Sequence, residues 1–110
     1  MSGASTEKQG LKPRPAKPAA KALNREFTIV NQRGLHARAS AKFVQTVDAH
    51  NAEVAVEKDG ISVGGTSIMG LMMLAASPGC SIRVRAEGPE AEALLDALGA
   101  LIAARFGEEV

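Results

Sequence analysis

The amino-acid sequence predicts an α+β open-faced sandwich, in which a four-stranded antiparallel sheet carries three helices on one face in the order βαββαβα. Four short segments alternate apolar and polar residues, as half-buried strands do. Three other segments repeat apolar residues at the spacing of an amphipathic helix. Strands this short and this alternating do not suit a fully buried parallel sheet, so antiparallel packing with one partly exposed face is favoured.

The first half of the domain contains a strand, a helix and a hairpin. Residues 25 to 31 alternate like a half-buried strand, and residues 37 to 50 carry apolar side chains at helical spacing. Residues 53 to 58 alternate again. The Asp59-Gly60 pair that follows is a strong hairpin signal, which predicts a third strand at residues 61 to 63.

The second half contains a short helix, a strand and a last helix. Thr66 or Ser67 can cap a very apolar helix through residues 68 to 74. Residues 81 to 87 alternate cleanly and form the fourth predicted strand. Pro89 suits the first turn of the last helix, and the acidic residues after it suit the positive end of the helix dipole.

Composition limits the class of protein. A length of 110 residues with 45% hydrophobic content suits one soluble domain with one modest core. Cys80 is the single cysteine, which excludes an internal disulfide and a metal site built on cysteine pairs. No apolar run reaches the ~20 residues that span a bilayer, and the N-terminus lacks the apolar segment of a secretory signal. We therefore expect a cytoplasmic protein without membrane insertion, metal or cofactor.

Residues 1 to 23 are expected to form a disordered basic tail, and residues 24 to 110 the folded domain. The tail contains three prolines among Ala and Lys, with few large aliphatic side chains to offset the entropy of ordering it. Residues 1 to 24 have a net charge of +4, which leaves −3 for the remainder of a chain whose net charge is +1. A basic tail can attract nucleic acid, but this tail lacks interleaved aromatic residues, so nucleic-acid binding is not the favoured interpretation.

The turn between the first strand and the first helix is the one place where chemistry is expected. Residues 34 to 40 place His36 at the start of the predicted helix, with Arg38 two positions later. The unpaired N–H groups and positive end of a helix favour a neutral, nucleophilic imidazole and also attract an anion. If the ring attacks a phosphoryl group, Arg38 can bind the phosphate oxygens. By spacing alone, however, a histidine here is more often a surface or capping residue.

The sequence resembles the HPr family, the histidine-containing phosphocarriers of the bacterial phosphoenolpyruvate phosphotransferase system. Residues 34 to 39, Gly-Leu-His-Ala-Arg-Ala, match the active-site signature of the family, and residues 65 to 71, Gly-Thr-Ser-Ile-Met-Gly-Leu, match a second segment downstream. The resemblance covers residues 25 to 106. It implies that His36 accepts a phosphoryl group on Nδ1 from phosphorylated enzyme I and passes it to a histidine of an IIA-type acceptor, without turnover of its own.

The resemblance also implies roles for the neighbouring residues. Arg38 accompanies the phosphohistidine, and the phosphate lies at Ala37, Arg38 and Ala39. Ala39 stands where the family usually has proline, which leaves the amide of this residue available as a further donor. Ser67 matches a regulatory serine on which a dedicated kinase and phosphorylase act in some lineages; without them its role is a helix cap.

A docking surface for enzyme I and the acceptors is implied as well. It combines apolar side chains with basic ones that would steer acidic partners: Ile68, Met69, Met72, Arg33 and Lys42. Core packing is the alternative role for Met69 and Met72. Residues 67 to 77 look closer to the nitrogen-related branch of the family than to the sugar-transport branch. A carrier that presents one histidine to several proteins is expected to be a monomer.

Two other functions stay open on the residues alone. The first is a non-catalytic regulatory or nucleic-acid-binding α+β module, in which the basic tail acts and His36 is incidental. The second is a small phosphatase or transferase with a histidine nucleophile. That chemistry needs a second acid or base, and the sequence shows no evident candidate close to His36.

Overall fold

The computed structural model describes residues 22 to 108 of the chain. The strands form one antiparallel sheet in the order β1-β4-β2-β3, which confirms the predicted fold class and element order. In chain order the elements are β1 (Ala22–Thr28), α1 (Ala37–Asp48), β2 (Glu53–Lys58), β3 (Ile61–Gly64), α2 (Ile68–Met73), β4 (Ser81–Glu87) and α3 (Ala91–Ala103), followed by a 3₁₀ turn, Arg105–Gly107.

The first strand begins and ends earlier than the alternation predicted. β1 pairs with β4 along its full length, from Ala22 opposite Glu87 to Thr28 opposite Ser81. Leu23 packs against the core, so the last two residues assigned to the tail belong to the sheet. The rest of the predicted tail, residues 1 to 21, lies outside the described residues.

One largely aliphatic core lies between the helices and one face of the sheet. In β4 the alternate residues Ile82, Val84 and Ala86 are fully buried, whereas Arg83 and Arg85 are exposed, as their alternation predicted. Burying one large aliphatic side chain contributes about 1.5–3 kcal/mol. The helices supply the largest buried side chains on the other side of this core: Phe43 of α1, Leu71 of α2, and Leu94, Leu95 and Leu98 of α3.

The hairpin between β2 and β3 follows from its two turn residues. Asp59 and Gly60 have φ values of 54° and 82°, and a two-residue type I′ turn needs positive φ at both positions. The turn sets the register, in which Lys58 lies opposite Ile61. The hairpin therefore forms where the sequence predicted it.

Three helix boundaries differ from the predictions by one or two residues. α1 ends at Asp48 and not at residue 50. α2 ends at Met73 because Ala75 adopts a left-handed conformation, with a φ of 54°, which a helix cannot continue through. α3 begins at Ala91 with Glu90 as its N-cap. Pro89 therefore precedes the helix instead of lying in its first turn.

Candidate functional site

The loop between β1 and α1 is held by hydrogen bonds on both sides of Gly34. The buried side chain of Asn31 donates from Nδ2 to the Gly34 carbonyl at 2.9 Å. The backbone N–H of Leu35 donates to the Ala76 carbonyl at 3.0 Å, and that of His36 donates to the Gly34 carbonyl at 2.9 Å. These bonds hold the backbone that leads to His36 and join it to the segment that follows α2.

Gly34 is required by its conformation and by its surroundings. Its φ is +68°, a left-handed value that residues with a Cβ adopt at a cost. A Cβ at this position would lie 2.3 Å from the carbonyl oxygen of Ala76, a distance that forces one of the two segments to move. The glycine therefore permits the close approach that the Leu35 to Ala76 hydrogen bond needs.

Helix α1 begins immediately after His36, which is its N-cap and makes no side-chain cap hydrogen bond. The first intrahelical bond runs from the N–H of Ser40 to the His36 carbonyl, at 2.8 Å. The amides of Ala37, Arg38 and Ala39 come before this bond, so the helix itself leaves them without an acceptor. Within the described helix α1, the first turn holds no acidic residue to oppose an anion there.

The side chains of this first turn divide between the core and the solvent. Ala39 is fully buried, and Ser40 donates from Oγ to the Leu35 carbonyl at 3.2 Å, which anchors the turn. Arg38 is exposed and sits two residues after His36. Ser40 thus anchors the turn on its buried side, and Arg38 presents its guanidinium to solvent.

The carboxylate of Glu108 contacts His36, which the sequence did not predict. Its Oε2 lies 3.2 Å from Nε2 of His36, and the two side chains are only 11% and 18% exposed. The other oxygen accepts the backbone N–H of Arg33 at 3.2 Å. Desolvation raises the pKa of Glu108. Four other influences lower this pKa by more in total: hydrogen bonds from the Arg33 backbone, the Asn31 side chain and the Gln32 backbone, and the charge of His36. The pKa of Glu108 therefore lies below its ordinary value, and the group is ionised at neutral pH.

A left-handed turn after α3 carries Glu108 to this position. Arg105, Phe106 and Gly107 have φ values of 60°, 55° and 77°. The left-handed conformation costs about 1–2 kcal/mol for each residue that has a Cβ. Two contacts hold the turn: the side chain of Phe106 is buried in the core, and Lys42 of α1 donates from Nζ to the Phe106 carbonyl at 2.8 Å. Lys42, predicted at the docking surface, is thus half-buried and engaged with the C-terminal segment.

Apolar side chains project from α2 into solvent. Leu71 and Leu74 of this segment belong to the core. An exposed apolar cluster on a small protein often marks an interaction site. We call the exposed set the α2 patch; it consists of Ile68 (39% exposed), Met69 (69%), Met72 (40%) and Met73 (74%). Met73 was not among the predicted docking residues, although the sequence predicted that it lies in the apolar helix.

Ser67 is the N-cap of α2, and its Oγ accepts the backbone N–H of Gly70 at 2.9 Å. The structure therefore selects Ser67 over Thr66 as the cap. We expect Ser67→Ala to lower the free energy of unfolding by about 1 kcal/mol, because one helix donor loses its acceptor. Thr66→Ala, an exposed neighbour, should change it by about 0.5 kcal/mol or less. Urea denaturation measures both; equal losses in the two variants would contradict this role.

The described residues hold neither of two other kinds of feature. No helix within residues 22 to 108 is long and apolar enough to cross a membrane. In the same part of the chain, no three His, Cys, Asp or Glu side chains come together as ligands for a metal ion.

Comparison with known proteins adds to this geometry. A family model described as the PTS HPr component phosphorylation site matches residues 23–104. The chain belongs to the HPr family. One relative, the phosphocarrier protein HPr of Cupriavidus necator, is 48% identical over 86 residues, which are 78% of this chain and 97% of that protein. The phosphocarrier protein NPr of Shewanella violacea is 37% identical over 86 residues, 78% of this chain and 94% of that protein.

The fold agrees with solved HPr structures. The crystal structure of HPr-C-His from Thermoanaerobacter tengcongensis has a TM-score of 0.75 and 42% sequence identity, and it covers 80% of this chain and 99% of that one. The resemblance to the HPr family is therefore confirmed. Relatives named HPr and NPr both occur, and the nitrogen-related branch stays a prediction. The matched stretch includes His36, Arg38 and Ser67 and ends before Glu108.

Proposed function

We propose that this HPr-family protein carries a phosphoryl group on His36 in the phosphotransferase system, in the service of sugar uptake or of nitrogen-related regulation. It accepts the group from phosphorylated enzyme I and delivers it to a histidine of an IIA-type acceptor. The observation that supports this most directly is the position of His36, which caps α1 beside three amides that precede the helical ladder. The protein is a carrier and not an enzyme with a turnover of its own.

The chemistry assigned to the site is an in-line displacement at phosphorus. A ring nitrogen of His36, Nδ1 in the family, donates its lone pair to the phosphorus atom, and the bond to the donor breaks with its electron pair left on the donor. Charge spreads over the three transferred oxygens. The amides of Ala37 and Ala39 and the guanidinium of Arg38 would stabilise those oxygens with hydrogen bonds, and those of the guanidinium would be charge-assisted.

The test of this function uses the full chain, enzyme I and phosphoenolpyruvate. Intact mass spectrometry should show the gain of one phosphoryl group, and the phosphohistidine bond should be lost in acid and survive in alkali. The same mixture without enzyme I should leave the mass unchanged. Absence of any gain with an enzyme I preparation that phosphorylates another HPr would contradict the proposal.

We also propose that the α2 patch is where enzyme I and the acceptors dock. Flexible methionine side chains suit a surface that fits several partners in turn. The hydrogen bond from Leu35 to Ala76 joins the segment after α2 to the loop that carries His36, which supports docking of a partner on the patch with His36 within its reach. Arg33, exposed on that loop, adds positive charge that would steer acidic partners.

A charge placed in the α2 patch should weaken docking without unfolding the domain. We expect Met69→Glu to raise the KM for enzyme I about tenfold, since losing a well-buried apolar contact at an interface costs about 1–2 kcal/mol. Ile61→Glu, at an exposed residue of the β3 edge, is the matched control and should leave KM unchanged. The measurement is the rate of phosphoryl uptake against enzyme I concentration. Equal KM values for both variants would remove the α2 patch as the docking surface.

Regulation at Ser67 is a further part of the proposal. Its side chain is exposed beside Ile68 and Met69, so a kinase can reach it. A phosphate there adds about −1.5 to −2 charges next to the α2 patch and would oppose acidic partners. We place the protein in the cytoplasm, as a monomer that leaves His36 open to each partner.

A further inference from the structure

The Nε2 atom of the His36 ring lies beside a carboxylate. It lies 3.2 Å from Oε2 of Glu108. Within residues 22 to 108, this oxygen is shielded from solvent and makes no hydrogen bond of good geometry, so the contact with Nε2 is a close approach of the two atoms. The second carboxylate oxygen accepts from the backbone N–H of Arg33. One oxygen of the carboxylate is therefore held by Arg33, and the other lies against the imidazole.

The segment that precedes Glu108 has a strained backbone, and contacts with the rest of the domain hold it in place. Two consecutive residues with a Cβ, Arg105 and Phe106, adopt left-handed conformations. Such conformations persist only where the surrounding structure enforces them, and they cluster at functional sites. Lys42 supplies one of the enforcing contacts through the Phe106 carbonyl. A C-terminal segment that merely covered the core would not need to place an ionised carboxylate against the one histidine at the helix start.

The position of this charge decides which nitrogen of a neutral imidazole carries the proton. A carboxylate near Nε2 stabilises a proton on that atom and leaves the lone pair on Nδ1. We infer that Glu108 is a positioning residue, which holds the proton of the neutral His36 ring on Nε2 and presents Nδ1 as the nucleophile. The effect on rate rests on the proposed phosphocarrier function, whereas the effect on the tautomer does not.

The step balances without a further reactant. The Nδ1 lone pair forms the bond to phosphorus, and the bond from phosphorus to the donor breaks with its electron pair left on the donor. The proton stays on Nε2 of His36, and the positive charge that the ring acquires lies next to the ionised Glu108. On delivery to the acceptor the same bond breaks, and the ring returns to the neutral form protonated at Nε2.

The test compares Glu108→Ala with wild type in two measurements on the full chain. Long-range ¹H–¹⁵N NMR reports which nitrogen of His36 carries the proton in the neutral ring. Stopped or quenched reactions with phosphorylated enzyme I report the rate of uptake and its KM. We expect Glu108→Ala to shift the ring toward the tautomer protonated at Nδ1 and to slow uptake about tenfold, with an unchanged KM.

Two further variants separate positioning from charge and from folding. Glu108→Gln keeps an oxygen that can accept from Nε2, so it should retain the tautomer and restore most of the rate. Glu92→Ala removes the same charge from an exposed position in the first turn of α3 and should change neither quantity. Wild-type tautomer populations in Glu108→Ala, or an unchanged uptake rate, would overturn the inference. If wild type itself takes up no phosphoryl group, the proposed function fails while the tautomer measurement still decides the role of Glu108.

Discussion

A His36→Ala variant is expected to accept no phosphoryl group from phosphorylated enzyme I. The chain has two histidines, and only His36 caps a helix beside amides that can bind the transferred oxygens. Without an imidazole at this position there is no nucleophile, so the loss should be complete and not a change in KM. Intact mass spectrometry after incubation with enzyme I and phosphoenolpyruvate measures it.

The second histidine supplies the matched control. His50 lies two residues after the end of α1, with Nδ1 2.8 Å from the Thr46 carbonyl, so this nitrogen already has a backbone partner. His50→Ala should accept a phosphoryl group as wild type does. Retention of the mass gain in His36→Ala, or its loss in His50→Ala, would show that the phosphoryl group is carried elsewhere.

We expect Gly34→Ala to lower the free energy of unfolding by about 3 kcal/mol, or roughly 15 °C in Tm. About 1–2 kcal/mol of this comes from a left-handed alanine and the rest from the contact of its Cβ with the Ala76 carbonyl. The displaced loop would also carry His36 with it, through the bond from the His36 N–H to the Gly34 carbonyl. A misplacement of about 1 Å can slow transfer about 100-fold. Urea denaturation and uptake rates at a temperature where the variant is folded measure the two effects.

Gly79 is the control that separates the cost of a left-handed alanine from the cost of the Cβ contact. Gly79 also has a positive φ, +88°, but a Cβ there would meet nothing within 4 Å. Gly79→Ala should therefore cost only the conformational share, about 1–2 kcal/mol, and should leave uptake unchanged. Equal losses of stability in the two variants would mean that the contact with Ala76 is relieved at no cost.

The elements with a strong local pattern could be predicted from the sequence, often to the residue. β2 and β4 have the predicted bounds, and α1 begins at the predicted residue, Ala37. β1 was misplaced because its first residues are ordinary in composition and become a strand only by pairing with β4. The strand order β1-β4-β2-β3 depends on contacts between distant segments, which a local pattern does not contain.

The same distinction holds for the candidate site. His36 and Arg38 are close in sequence to the start of α1, so spacing and family resemblance sufficed to predict them as site residues. Glu108 is 72 positions from His36 and reaches it through a turn of left-handed residues. Arg and Phe do not favour that conformation, so Gly107 signalled the end of the last helix but nothing in the sequence placed Glu108 against His36. Its contact with His36 depends on how α1, α3 and the last described residues pack together.

The two ends of the described chain lie in different settings. β1 starts at Ala22, opposite the end of β4, and runs for seven residues before it reaches the loop that carries His36. At ~3.3 Å per residue, the strand separates its first residue from that loop by roughly 20 Å. The other end, Glu108, touches the imidazole itself. A fluorophore for studying phosphoryl transfer is therefore better attached at Ala22 than at Glu108, because a label at Glu108 would alter the surroundings of the imidazole that it was meant to report on.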